Sequence, residues 1–203
     1  MASTPLAEIE KLVSAGDVAG IVSLCESFEL DLCHSEETQQ TSLTVYKVHM
    51  LSYLLTGQVA AARFLWKRLP PEIRSDGEVA LLWDVGKHMW QKQPASVQQT
   101  LRGATWAHPM IGALAAKLQQ ESLDASFKAL GAAYNLIPVS VAAERLGVAE
   151  ATASQLASAA GWSCSPEGVF SPVAAPEEAM RSKGLGQLQQ LTDFVAHLEY
   201  EVG

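Results

Sequence analysis

The residues best able to do chemistry are few and scattered. Five histidines stand at His34, His49, His88, His108 and His197, and three cysteines at Cys25, Cys33 and Cys164. A zinc site needs about four ligands, commonly in close pairs such as C-x-x-C or H-x-H. No such pair occurs, and neither does H-E-x-x-H. Cys25, Cys33 and His34 come nearest, but they lack a fourth ligand, and Cys25 falls on an apolar helical stripe. No glycine-rich run ends in G-K-[ST], so there is no phosphate loop. Gly184-Leu185-Gly186 is too short for a dinucleotide fingerprint. No G-x-S-x-G elbow is present to raise a serine nucleophile. The expectation is a protein with no catalytic, cofactor-binding or metal-ligating residue, and so not an enzyme.

Charge removes further classes. The 203 residues carry 22 acidic and 14 basic side chains, a net charge of −8, with 48% hydrophobic residues. That composition builds a sizeable core and is unlike a disordered chain. The acidity is uneven. Residues 1–120 carry 12 acidic and 10 basic side chains, residues 121–203 carry 10 and 4. Phosphate binding needs clustered Lys and Arg, so nucleic acid and anionic membranes are not expected partners. Met1–Val13 has no basic region before an apolar stretch, and no apolar run approaches the roughly 20 residues of a membrane span. An odd cysteine count points to a reducing compartment. The expectation is a soluble cytoplasmic and nuclear protein.

What positions the remaining residues is mostly helix. Thr4-Pro5 is a start signal, Gly16 a stop, and Asp17 a cap for a helix carrying Val18, Ile21, Val22 and Cys25. A helix from about Ser42 to Leu55 is apolar on two sides (Leu43, Tyr46, Met50, Leu54; Val48, Leu51, Leu55), as expected of one buried among neighbours. Further helices are marked by Ala62, Leu65, Trp66 and Leu69; by Val79, Leu82, Trp83, Gly86 and Trp90; by about Ala95–Arg102; and by Ile111, Leu114, Ala115 and Leu118. Gly16-Asp17-Val18-Ala19 recurs as Gly57-Gln58-Val59-Ala60, 41 residues later, which suits a two-helix repeat. Residues 1–120 therefore read as an α-solenoid. Trp66, Trp83, Trp90, Trp106 and Trp162 are expected in the core or as wedges between helices. Arg63–Arg74 is locally basic. It reads first as a helix with a solvated basic face, and second as a docking surface for an acidic partner.

After residue 120 the pattern changes. A helix with Leu123, Phe127, Leu130 and Tyr134 on one face precedes an extended Ile137-Pro138-Val139. Ser140 can cap a short helix ending at Gly147, and Ala149–Ala160 forms the next. A β-hairpin follows over Trp162–Ser171 about a turn at Ser165-Pro166-Glu167-Gly168. That order over residues 121–172 predicts a winged helix. Its second helix lacks Lys and Arg, and Arg145 is the one basic residue between Pro138 and Pro172. Base readout and phosphate anchoring lack their usual donors. The hairpin, with Trp162, Val169 and Phe170, is instead expected to meet another protein through its edge. Residues 173–184 read as a linker. In 185–203, Leu188, Leu191, Val195, Leu198 and Val202 are spaced 3, 4, 3, 4, a short coiled-coil seam and a second partner surface.

These features converge on a family. An α-solenoid, a winged helix and a C-terminal helix resemble the PCI scaffold proteins. Ala62-Arg63-Phe64-Leu65-Trp66-Lys67-Arg68-Leu69-Pro70-Pro71-Glu72-Ile73 resembles the A-R-[FY]-L-W-K-x-[IL]-P-x-x-I segment of the subunit-eight family of the constitutive photomorphogenesis nine (COP nine) signalosome. Leu191-Thr192-Asp193-Phe194-Val195-Ala196-His197-Leu198-Glu199 resembles its L-T-[DE]-[FY]-V-x-x-L-E ending. Gly161-Trp162 and Val85-Gly86-Lys87-His88-Met89-Trp90 also fit. The resemblance implies a non-catalytic scaffold subunit of a complex that removes the ubiquitin-like Nedd protein from cullins, with a role in plant light signalling. It places the isopeptidase chemistry in another subunit. It also implies that other signalosome subunits are the partners: a PCI neighbour through the winged helix, and a helical bundle through the C-terminal helix. The alternatives are a small PCI subunit of the proteasome lid, or a winged-helix nucleic-acid-binding protein.

Overall fold

The structure, a computed structural model, describes residues 5–32, 39–173 and 192. The C-terminal seam, the linker, Cys33 and His34 lie outside the described residues. Ten helices and three short strands follow one another among the described residues: α1 Pro5–Ala15, α2 Val18–Leu32, α3 Gln39–Leu55, α4 Val59–Arg68, α5 Pro71–Arg74, α6 Gly77–Trp90, α7 Pro94–Arg102, α8 Pro109–Ala133, β1 Ile137–Pro138, α9 Val139–Leu146, α10 Glu150–Ala159, β2 Ser163–Cys164 and β3 Val169–Ser171. This is the expected all-α fold with a small β-hairpin.

The two copies of the repeated sequence form the same helix-ending corner. After α1 and after α3 the chain turns through a glycine with φ of +72°, at Gly16 and Gly57. In both corners the glycine N–H donates three residues back, and the next N–H donates five back, to Leu12 and to Tyr53. Such a corner satisfies the last carbonyls of a helix, and its left-handed residue is easiest for glycine. Asp17 then caps α2, its Oδ1 accepting from Gly20 N at 2.9 Å.

Helix α3 is the centre of the body. It packs against α2, α4, α6 and α8, which is why two of its faces are apolar: Val48, Met50, Leu51 and Leu54 are all buried. Four of its polar residues, Ser42, Lys47, His49 and Ser52, are also buried. Lys47, 6% exposed, reaches Glu78 at 2.7 Å and Asp76 at 3.0 Å. Asp76 caps α6, accepting from the amides of Glu78 and Val79. Burial alone would raise the Asp76 pKa, but Lys47 and those amides hold it below the ordinary carboxylate value. Glu78 also accepts from Ala107 N at 2.6 Å, tying the approach to α8 into the same knot.

Helix α8 runs without a break through the 120/121 boundary expected from the sequence. Its first half, Met110 to Leu118, belongs to the large hydrophobic cluster of the body. Its second half packs Leu130 against a separate cluster. The change of apolar pattern near residue 120 is therefore a change of core within one helix, not a gap between two.

Two other expectations are corrected. Ser140 does not cap α9: the helix starts at Val139 with Pro138 as its N-cap, because Pro138 already supplies an extended residue immediately before the first turn. Trp90 is not a core wedge. It is 60% exposed, since it stands at the last residue of α6, beyond the helices that cover Leu82 and Val85. Trp66 and Trp83 do act as expected, stacked at 5.6 Å between α4 and α6.

Candidate protein-interaction site

The second core is small and made largely of alanine. Ile137, Ala142, Ala143, Ala153, Ala157 and Phe170 are its buried residues. Methyl side chains let α9 and α10 approach closely, and the sheet closes the remaining side. The strand order is β1-β3-β2, all antiparallel, with Ile137 opposite Phe170 and Ser163 opposite Ser171. The turn is the one expected: Gly168, with φ of +73°, donates to Ser165 O at 3.0 Å. Helix α9 ends at Gly147, also left-handed.

The predicted wing residues divide by position. Phe170 is 2% exposed, so its side chain is a core residue of the winged helix. Strand alternation forces this, because its neighbours Val169 and Ser171 then face the other way. Trp162 is half-buried. It stacks on Phe127 at 4.2 Å and meets the edge of Phe170 at 6.2 Å, closing the core against α8. A Cβ on Gly131 would lie 2.8 Å from its ring, so that glycine makes room for it. Val169 is half-buried on the outer face of the sheet. There it lines a cavity of about 440 Å³ with Leu136, Ser163, Cys164, Glu167 and Ser171. Leu136, 66% exposed, is the large apolar side chain on that rim, and sequence reasoning passed it by. Its signal was its place directly before the extended Ile137-Pro138. Among the described residues β2 pairs with β3 alone, so it is one of the two edges of the sheet.

This arrangement has the shape of a DNA reader without its charge. The face of α10 open to solvent carries Glu150, Ala151, Gln155 and Ser158. It offers hydrogen-bonding edges and apolar contact to a protein, and no cation for a phosphate.

The basic segment divides too. Arg68 donates to both Glu29 carboxylate oxygens, at 2.8 and 3.0 Å, and clamps α4 to α2. Arg63 makes no ion pair among the described residues. It borders a notch of about 220 Å³ with Lys87 and Trp90, and Phe64 beside it is 56% exposed. Near Glu29, His49 is fully buried, with neither ring nitrogen hydrogen-bonded. Burial lowers its pKa to about 4, against the opposing pull of Glu29 and Glu26. Burial raises the Cys25 thiol to about 12, with Glu26 adding to it. An inert thiol on a core stripe suits packing. Among the described residues no group of His, Cys, Asp and Glu could hold a metal ion, and no helix is long and apolar enough to cross a membrane.

A helical body passing through one long helix into an acidic winged helix has the architecture of a PCI-type protein. The chain belongs to the CSN8/PSMD8/EIF3K family, whose model matches residues 40–182, from the start of α3 past the end of the wing. Relatives extend the match. A protein of Arabidopsis thaliana named COP9 signalosome complex subunit 8 is 27% identical over 96% of this chain and 99% of its own length. Proteins with the same name from Xenopus tropicalis and Danio rerio are 28% and 27% identical, over 86% and 76% of this chain and 90% and 82% of theirs.

Proposed function

We propose that the chain is a non-catalytic scaffold subunit of a COP nine signalosome, the complex that deneddylates cullins and thereby regulates cullin-RING ubiquitin ligases. The observation that carries this is an end-to-end match to signalosome subunits joined to a winged helix that lacks phosphate-binding charge. The neighbouring subunit meets the open β2 edge and the outer sheet face around Val169 and Leu136. The helical bundle takes the seam of Leu188, Leu191, Val195, Leu198 and Val202. The isopeptidase chemistry belongs to another subunit, and the chain works in the cytoplasm and nucleus.

Affinity purification from cell extract, with identification of what co-purifies, tests the reading. Signalosome subunits are the expected result. Proteasome-lid subunits in their place would assign the chain to the second complex that the family description covers. Turnover of a neddylated cullin by the isolated, zinc-loaded chain above a no-enzyme control would refute a non-catalytic role.

A further inference from the structure

A cavity lies where the body meets the winged helix. It is a groove of about 510 Å³ between the end of α6, the start of α7, the second half of α8 and α9. Its apolar lining mixes small and larger side chains, among them Ala125, Ala129, Ala133, Val97, Leu130 and Leu146. Its charged and ionisable groups are Lys92, Arg145, His88 and Tyr134, and no carboxylate lines it. An occupant must therefore bring an apolar stripe and negative charge.

Lys92 is unusual for its position. Gly16, Gly57, Gly147, Gly161 and Lys92 each close a helix with the same pair of reverse hydrogen bonds. Four of these left-handed positions hold glycine; Lys92, with φ of +57°, does not. The cation stands on the groove rim at the one such corner where a side chain is kept despite the backbone preference for glycine.

The chain itself carries the complementary segment. Strand β3 runs antiparallel to β1 with Phe170 opposite Ile137, so residues 172 and 173 leave the sheet alongside Asn135 and Tyr134. Tyr134 lines the groove, and Ser171 Oγ donates to Asn135 O at 3.5 Å. Thirty residues follow position 173. Those from 184 to 203 hold the apolar seam, with Asp193, Glu199 and Glu201 and no Lys or Arg. On a helix, Glu199 stands four residues after Val195 and Glu201 three after Leu198, flanking the stripe. Eleven residues separate positions 173 and 185; a random-coil chain of that length would span about 17 Å on average, and tethering at that range gives an effective concentration of order millimolar. A separate acidic segment would have to outcompete it.

We propose that in the free subunit the seam of residues 188–202 lies in the groove between body and winged helix, its carboxylates meeting Lys92 and Arg145. Assembly then exchanges this internal contact for the partner bundle, so the seam is covered until a partner arrives. The docking itself does not depend on which complex the partner belongs to.

Carbodiimide coupling of the free, full-length chain tests this, read by peptide mass spectrometry. The ion pair of Lys87 with Asp84, within α6, serves as the internal control. Lys92 should couple to Glu199 or Glu201 within monomers. Leu191→Asp plus Val195→Asp should reduce that product by roughly tenfold or more, because charge is forced onto the apolar floor. Ala129→Trp, at an exposed helix position, should reduce it similarly by filling the groove. The control link should persist in both variants. Absence of the Lys92 link in the wild type, its persistence in Ala129→Trp, or its appearance between two copies would each overturn the proposal.

Discussion

The body and the winged helix are built on opposite principles. The body buries long aliphatic side chains from seven helices around α3, in one cluster that runs from Ile9 to Leu118. The winged helix has seven buried residues, four of them alanine, and depends on Trp162 to close its open side. Stabilisation scales with apolar area removed from water, so the body is the stable unit and the winged helix the marginal one. The expected partner surfaces sit on or beyond the marginal unit. Regions with little core open most readily, and a partner that adds buried area there gains most. Helix α8 joins the body and the winged helix, with its first half in one core and its second half against the other.

The widest break in this comparison should come from Gly147→Ala. Gly147 has φ of +66°, and an added Cβ would lie 2.7 Å from Ala95 Cα and 2.8 Å from Ala95 O, both backbone atoms of α7. The Gly147 carbonyl also accepts from Arg102 at 2.9 Å. The substitution combines left-handed strain with a clash that only movement of α9 away from α7 relieves. The expected loss is about 3 kcal/mol. Urea unfolding followed by hydrogen exchange should show the winged helix opening before the body. A single cooperative transition with unchanged midpoint would mean the two regions are not joined here.

Within the body, Lys47→Met should cost about 2–3 kcal/mol, because Asp76 and Glu78 would remain partly buried with their cation gone. The Asp76 pKa, now held low, should rise, so the variant should lose less stability than the wild type on acidification through the carboxylate range. Thermal melts at pH 7 and below check both effects.

An effect confined to acid pH belongs to His49. Its folded pKa of about 4 lies below the ordinary 6.5, so the unfolded chain binds the proton first. Stability should be level above pH 6.5, fall as pH drops towards 4, and be reduced by on the order of 2–3 kcal/mol at the lower end. His49→Leu should remove this slope with little change at pH 7, since neither ring nitrogen makes a hydrogen bond to be lost. An unchanged pH slope in the variant would assign the acid sensitivity to other groups.

Legibility followed the same division. The body's helices were readable because glycine corners and apolar spacing agree, as at Gly16 and Gly57. The α8 boundary misled because Gln119-Gln120-Glu121 changes the apolar stripe while remaining good helix. Periodicity records which core a face meets, not whether the backbone continues. Trp90 has core spacing but stands past its neighbours, and spacing cannot tell where neighbours end. Asp76 was missed as a cap because its Glu78 partner signal lay two residues on, not three. At the wing, strand alternation separated Val169 from Phe170, whereas the groove at Lys92 required tertiary placement of α6, α7, α8 and α9 that no local pattern carries.

The central claim is that partner binding lies beyond the body, which needs no partner to hold its core. Leu191→Asp plus Val195→Asp in the full-length chain tests it most directly. The variant should keep its helical circular dichroism and a cooperative thermal transition when isolated, while its co-purification with the other subunits falls sharply. Normal incorporation of the double variant, or collapse of the isolated chain, would contradict the account.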